Sequence, residues 1–155
     1  DVPAMIMANL LFGGTSNAKL FLNVREKLSL CYYASSSYAR SKGIMTVSSG
    51  IESGDFQKAH DEILHQLALV QQGQWEDWEW QGALATMCSS LTSLSDSQGA
   101  LENYYLGQTA IGAEDTPEDL MEALQQVTPE RVRKAAQSCR LDTVFFLKGK
   151  EESAC

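Results

Sequence analysis

The stretch from Phe12 to Tyr33 leaves the backbone few options. Gly13 and Gly14 interrupt whatever helix precedes them, because glycine enters the left-handed stop conformation without a Cβ clash. Thr15 and Ser16 follow, and either oxygen can accept from an orphan backbone N–H, so one of them is the predicted N-cap of the next helix. Leu20, Phe21, Val24 and Leu28 gather on one side of that helix. Arg25 falls at the edge of their stripe, where its stem can rest on apolar surface while the guanidinium reaches outward from the helix end. The helix is predicted to end near Leu28 and a strand to begin at about Leu30, which puts Tyr32, seven residues after Arg25, on the strand.

Ahead of the glycine pair, Met5, Ile6, Ala8, Asn9, Leu10 and Leu11 form a short helix, apolar nearly all round and so expected to be buried. Beyond it, Leu30 to Tyr38 alternates, with Leu30, Tyr32, Ala34, Ser36 and Tyr38 on one face and Cys31, Tyr33, Ser35 and Ser37 on the other. Ala39 to Gly43 turns the chain, and Ile44 to Ile51 returns with Met45, Val47 and Ile51 opposite Thr46 and Ser48. So short a connection implies an antiparallel hairpin. One of its faces is greasy and the other rich in hydroxyls, which suits a sheet covered by helices on one side and open to a chamber on the other.

Helical periodicity then takes over. Asp55 is placed to cap a helix whose stripe is Phe56, Ala59, Ile63, Leu67 and Val70, stopping at Gly73. Trp75, Trp78 and Trp80 alternate with acids at the start of the next, where carboxylates complement the positive end of the dipole. Trp75 and Trp78 are predicted to pack on neighbouring helices and Trp80 to be partly exposed; plain packing is preferred to an aromatic cage for a cation. The pattern runs through Ala83, Leu84, Met87, Leu91 and Leu94 to Ser95–Gly99, which either bends one long helix or caps a break between two. Thr116-Pro117 and Thr128-Pro129 each set an N-cap before a first-turn proline. Leu141 to Leu147 is predicted to be a final strand within the sheet, and 151–155 a frayed tail. The expected architecture is one α+β domain over residues 1–150.

Twelve basic against 20 acidic side chains, a net charge of −8, argue against a nucleic-acid partner. Cys31, Cys88, Cys139 and Cys155 show no Cys-x-x-Cys pair or ligand spacing and read as reduced thiols of a cytoplasmic protein. No apolar run approaches the ~20 residues a membrane helix needs, and no basic-then-apolar leader opens the chain. The start at Asp1-Val2-Pro3, without methionine, looks like a fragment of something longer. His60 and His65 stand five apart, a rotation of about 140° on an ideal helix, so they do not converge as a metal-binding pair would. Glu62 is out of register for an inverted zinc motif, and no metal site is expected in this chain.

A glycine pair, a hydroxyl-bearing helix start, a helix ending in Arg25-Glu26-Lys27-Leu28, and Leu30-Cys31-Tyr32 after it resemble the C-terminal half-domain of the pitrilysin/insulinase family of zinc peptidases, which includes the mitochondrial processing peptidases. The resemblance extends through Lys42-Gly43-Ile44 and Val127-Thr128-Pro129-Glu130 to Asp142–Leu147, and is nearest to bacterial members, some of which lack the zinc motif. It implies an antiparallel sheet with helices on one face, here without the strand that precedes the first helix in the family. It also implies a peptide substrate and a zinc-bearing N-terminal half or homologous subunit that carries His-x-x-Glu-His. In the family an arginine and, seven residues later, a tyrosine reach across to the substrate; Arg25 and Tyr32 have that spacing. They are the implied substrate and transition-state residues, Tyr32 as a neutral phenol donor and Arg25 as a fork for backbone carbonyls. The bare residues also allow Arg25 to cap its own helix and Tyr32 to be a core-edge aromatic.

The sequence contains no His-x-x-Glu-His, so the chain alone is expected to hold no catalytic zinc and to be inactive. Two functions follow: the substrate-binding half of a zinc metalloendopeptidase, or a non-catalytic peptide-binding or assembly module from an inactive relative. A zinc motif on residues preceding Asp1 would favour the first. A homodimer covering an unpaired sheet edge is compatible with either.

Overall fold

Helix α1 (Val2–Asn9) starts where the Asp1 carboxylate accepts from the Ala4 N–H at 3.3 Å, with Pro3 in the first turn. It runs directly into a π-helical turn, Leu10–Gly14. The structure, a computed structural model, describes residues 1–149; the predicted tail at 151–155 lies outside the described residues. A second π-helix, Leu20–Lys27, leads through Ser29, at a left-handed φ of 51°, into the antiparallel hairpin of β1 (Cys31–Ala39) and β2 (Ile44–Ile51). After a 3₁₀ turn, Ser53–Asp55, come α2 (Phe56–Gln72), α3 (Asp77–Thr92), α4 (Gln98–Ala110), α5 (Pro117–Gln125) and α6 (Pro129–Gln137).

The apolar α1 lies at the centre, against α5, α6 and β1, while α2 packs on α6 and the second π-helix, and α3 on α5. Phe12, Met7, Leu11, Leu20, Val24, Val70, Leu124 and Val132 are fully buried between these elements. Each such side chain contributes about 1.5–3 kcal/mol relative to exposure, so the Met7–Val24 stretch anchors the domain. The hairpin shows the expected division of faces. Ala34 and Ser36 are buried towards the helices with Met45 and Val47 packed beside them, whereas Ser35 and Ser37 face outward opposite Ser48 and Thr46. The architecture is α+β, an antiparallel sheet with helices on one face.

Several local expectations are corrected. Gly13 and Gly14 do not take the left-handed stop; their backbone continues the π-turn. Glycine is required there by close approach, since a Cβ on Gly13 would lie 2.7 Å from Leu20 Cδ1 and 2.8 Å from the Ser36 nitrogen, and one on Gly14 2.8 Å from Asn9 Nδ2. Neither Thr15 nor Ser16 caps the next helix by its side chain: Lys19 occupies that position in helical conformation, and the Thr15 hydroxyl donates back to the Leu10 carbonyl at 3.5 Å. Asp55 stands at the N-cap of α2 without a capping bond, because the preceding 3₁₀ turn leaves its φ,ψ at −97°, 5° and Lys58 Nζ lies 3.4 Å from the carboxylate. Trp75 precedes α3 and stacks on Trp80 at 6.0 Å, so it is Trp78 that faces solvent.

The predicted strand Leu141–Leu147 has no strand pairing. Phe145 and Leu147 are more than four-fifths exposed, and Phe146 rests on Phe56 with ring centroids 4.4 Å apart. Both outer edges of the β1–β2 hairpin stay unpaired among the described residues, yet the segment docks on neither, and its β-propensity goes unexpressed. The stretch from Ser95 to Gly99 resolves as a break between two helices, with the Ser97 hydroxyl accepting from the Ala100 N–H at 3.4 Å.

Candidate functional site

Where the glycine pair, the second π-helix and β1 meet, the surface sinks into a depression of about 300 Å³. Gly13 to Ser16 form one wall, Phe21 and Arg25 the second, and Tyr33 to Ser35 the third. π-turns are rare and frequent at functional sites, and two of them frame this hollow. Their wider winding is visible at the exit of the second, where the Leu28 N–H donates to the Asn23 carbonyl at 3.2 Å, one residue beyond the α-helical partner.

Arg25 reaches the depression from the last turn of its helix. Its guanidinium lies over the Phe21 ring, 4.5 Å from the centroid, and its Nε is 3.7 Å from the Glu26 carboxylate. It is the guanidinium itself that lies on an apolar ring, instead of reaching outward past it, and the side chain remains half-exposed.

Tyr32 and Tyr33 part company at a β-bulge between Cys31 and Tyr33. The bulge breaks the alternation: Cys31 packs against the core, Tyr32 is 73% exposed, and Tyr33 takes the outward face opposite Gly50. The Tyr33 ring lies across Gly50, where a Cβ would stand 2.5 Å from Tyr33 Cε1. Of the two, Tyr33 shares the depression with Arg25. Tyr32 donates from its hydroxyl to Glu52 Oε1 at 2.8 Å. That hydrogen bond, together with the charge of the carboxylate, holds the phenol above its ordinary pKa and so keeps it protonated. Sequence alternation places Tyr33 correctly with Ser35 and Ser37 but puts Tyr32 with Ala34 and Cys31 outward, and nothing in the composition signals the bulge that overturns those two.

A larger hollow, about 570 Å³, lies between the second π-helix and the start of α3. Its charges are largely spent on the fold. Lys19 Nζ bonds both carboxylate oxygens of Glu79 at 3.1 and 3.2 Å, and Glu79 also accepts from the Glu76 N–H at 2.7 Å, at the start of α3.

The described residues do not fit a zinc site. His60 is stacked on Phe56 at 5.8 Å and His65 is exposed on the same helix, and no group of three or more His, Cys, Asp or Glu among the described residues could hold a metal ion. Cys31, Cys88 and Cys139 are free thiols. No helix among the described residues is long and apolar enough to cross a membrane.

Residues 1–87 match the family described as the peptidase M16 inactive domain. Over 151 residues the chain is 37% identical to the probable inactive metalloprotease YmfF of Bacillus subtilis (strain 168), covering 97% of this chain and 35% of that protein. A second relative from the same organism, the uncharacterized zinc protease YmxG, is 25% identical over 136 residues, covering 86% of this chain and 33% of the relative. Among solved structures, a conserved protein from Enterococcus faecalis V583 superposes with a TM-score of 0.79 at 32% identity, covering 87% of this chain and 32% of that one. A peptidase M16 inactive domain from Pseudomonas fluorescens shares the fold at a TM-score of 0.74 and 21% identity, over 87% of this chain and 33% of that chain. The chain thus spans about a third of the length of the relatives it matches.

Proposed function

The chain belongs to the peptidase M16 inactive-domain family, and from that premise we propose that it is the substrate-binding, non-zinc half of a metalloendopeptidase, or of a peptidase-like protein, acting opposite a zinc-bearing half or homologous subunit. The observation that carries this reading is the half-exposed Arg25 beside the hydroxyl-rich outer face of the hairpin. A peptide laid along that face meets Ser35, Ser37, Thr46 and Ser48, which can both donate and accept, and a guanidinium fork at one end. In this reading residues 1–150 act as one unit in the cytoplasm.

Tyr32, assigned by resemblance, supplies a protonated phenol from its exposed bulge position. To give that proton to a substrate carbonyl or oxyanion it must exchange the Glu52 carboxylate for the substrate. Zinc, when bound by the other half, supplies the activated water. The part left to this chain is to hold the peptide and donate to its carbonyls.

The experiment combines the chain with a zinc-bearing half from the same family and follows a fluorogenic peptide with and without chelator. Turnover should require both halves and metal, and Tyr32→Phe should lower it about 10²-fold, as loss of one oxyanion donor does. Full turnover without this chain, or in the zinc-free sample, would reject the enzymatic reading. The naming of the 37%-identical relative as probably inactive supports a second one, in which the chain binds peptide without any turnover.

A further inference from the structure

We infer that the depression beside the glycine pair is a carboxylate site formed by Arg25 and Tyr33, a specificity pocket within, and dependent on, the peptide-binding surface proposed above. Its lining contains one cation and no acid. Ser16, Tyr33 and Ser35 each bring a hydroxyl that can donate, while the Thr15 hydroxyl is given to the Leu10 carbonyl. Donors gathered round a guanidinium favour an ionised oxygen acid over a neutral carbonyl, because charge-assisted hydrogen bonds are roughly twice as strong as neutral ones. A single cation in a chain of net charge −8 suits a monoanion better than a phosphate dianion.

The guanidinium is already oriented by the Phe21 ring at 4.5 Å. Its charge contact among the described residues is Glu26 at 3.7 Å, a loose and exposed pair that an incoming carboxylate displaces at little cost. The Tyr33 ring lies over Gly50, where any side chain would collide with it. Tyr32 lies outside the lining, with its hydroxyl given to Glu52. In a peptide the carboxylate is either an acidic side chain or a free C-terminus, and both present the same group.

The test titrates the 155-residue chain, by NMR, with three peptides: acetyl-Ala-Leu-Glu-Leu-Ala-amide, the same peptide with Gln in place of Glu, and the Gln peptide with a free C-terminal carboxyl. One of the two acids should bind about tenfold more tightly than the Gln amide, and which one does so identifies the source. Arg25→Gln should bring that ratio close to one, and Tyr33→Phe should lower it several-fold. Should Arg25→Gln lose its fold by circular dichroism, Arg25→Lys, which keeps the charge and removes the fork, should still lower the ratio. Equal affinity for all three peptides, a preference that survives loss of the guanidinium, or one that Tyr33→Phe leaves unchanged overturns the carboxylate site and leaves peptide binding intact. No binding of any peptide removes the proposed function as well.

Discussion

Gly13 sits where three elements touch, and its missing side chain lets them do so. A methyl group there would meet Leu20 Cδ1 at 2.7 Å and the backbone nitrogen and Oγ of Ser36 at 2.8 Å. The leucine can rotate away, but the β1 backbone cannot. Gly13→Ala is therefore expected to cost about 1–3 kcal/mol, the range for overpacking a filled interior, seen as a lower urea midpoint with an unchanged slope. Beside it the Ser36 hydroxyl donates to Asn9 Oδ1 at 2.8 Å, a buried bond that fixes α1 against the hairpin. The glycine pair was legible in the sequence as a break in the helix, yet its reason was not, because close approach between residues distant in sequence leaves no local mark. Cys31 and Tyr32 illustrate the same limit. Period-two alternation places side chains correctly along an unbroken strand, and one bulge reassigns every residue on its far side relative to the near side.

Elements follow the sequence where a local bond decides them. Thr116 and Asp119 form a reciprocal capping box at the start of α5: the Asp119 N–H donates to Thr116 Oγ1 at 3.1 Å, and the Thr116 N–H and hydroxyl donate to the Asp119 carboxylate at 2.9 and 2.7 Å. Thr116→Ala should destabilise the domain by about 1 kcal/mol. The bonds from Thr116 hold the Asp119 carboxyl below its usual pKa. The folded state thus prefers the ionised form, so the stability this box supplies is complete above the ordinary aspartate range and drains away as pH falls through that range towards the lowered value. The penalty of Thr116→Ala, measured by denaturation at neutral pH and again in acid, should shrink in acid; a constant penalty would show that the carboxylate plays no part. The Thr-Pro starts of α5 and α6 were readable because cap, proline and acid lie within four consecutive residues. Leu141–Leu147 was not, because a strand is a property of two segments and its sequence reports only one of them.

At the scale of the whole molecule, α4 is the least secured helix. Gln108 is its one buried residue, while Tyr105 and Leu106 face solvent. Beyond Tyr104, which packs against the core, it is tied down chiefly by polar bonds. Arg40, in the hairpin turn, donates to Gln108 Oε1 and to the Asp115 carboxylate, each at 2.9 Å. The Gln108 amide donates to the Tyr104 hydroxyl at 3.0 Å and the Asp115 carbonyl at 2.9 Å, and Tyr104 donates in turn to the Thr116 carbonyl at 3.1 Å. One arginine thereby joins the open side of the sheet to the α4–α5 connection, so the hairpin that carries the depression and the outermost helix are held by the same clasp. Arg40→Ala leaves the Gln108 carbonyl buried without its donor, at a cost of about 1–3 kcal/mol. Because α4 has little apolar burial of its own, the loss should appear there first: its amides should exchange with deuterium markedly faster, while those of α1, embedded in the core, slow or quicken only with global stability. Equal acceleration in both helices would mean that α4 unfolds only with the rest of the domain and that the clasp adds nothing local.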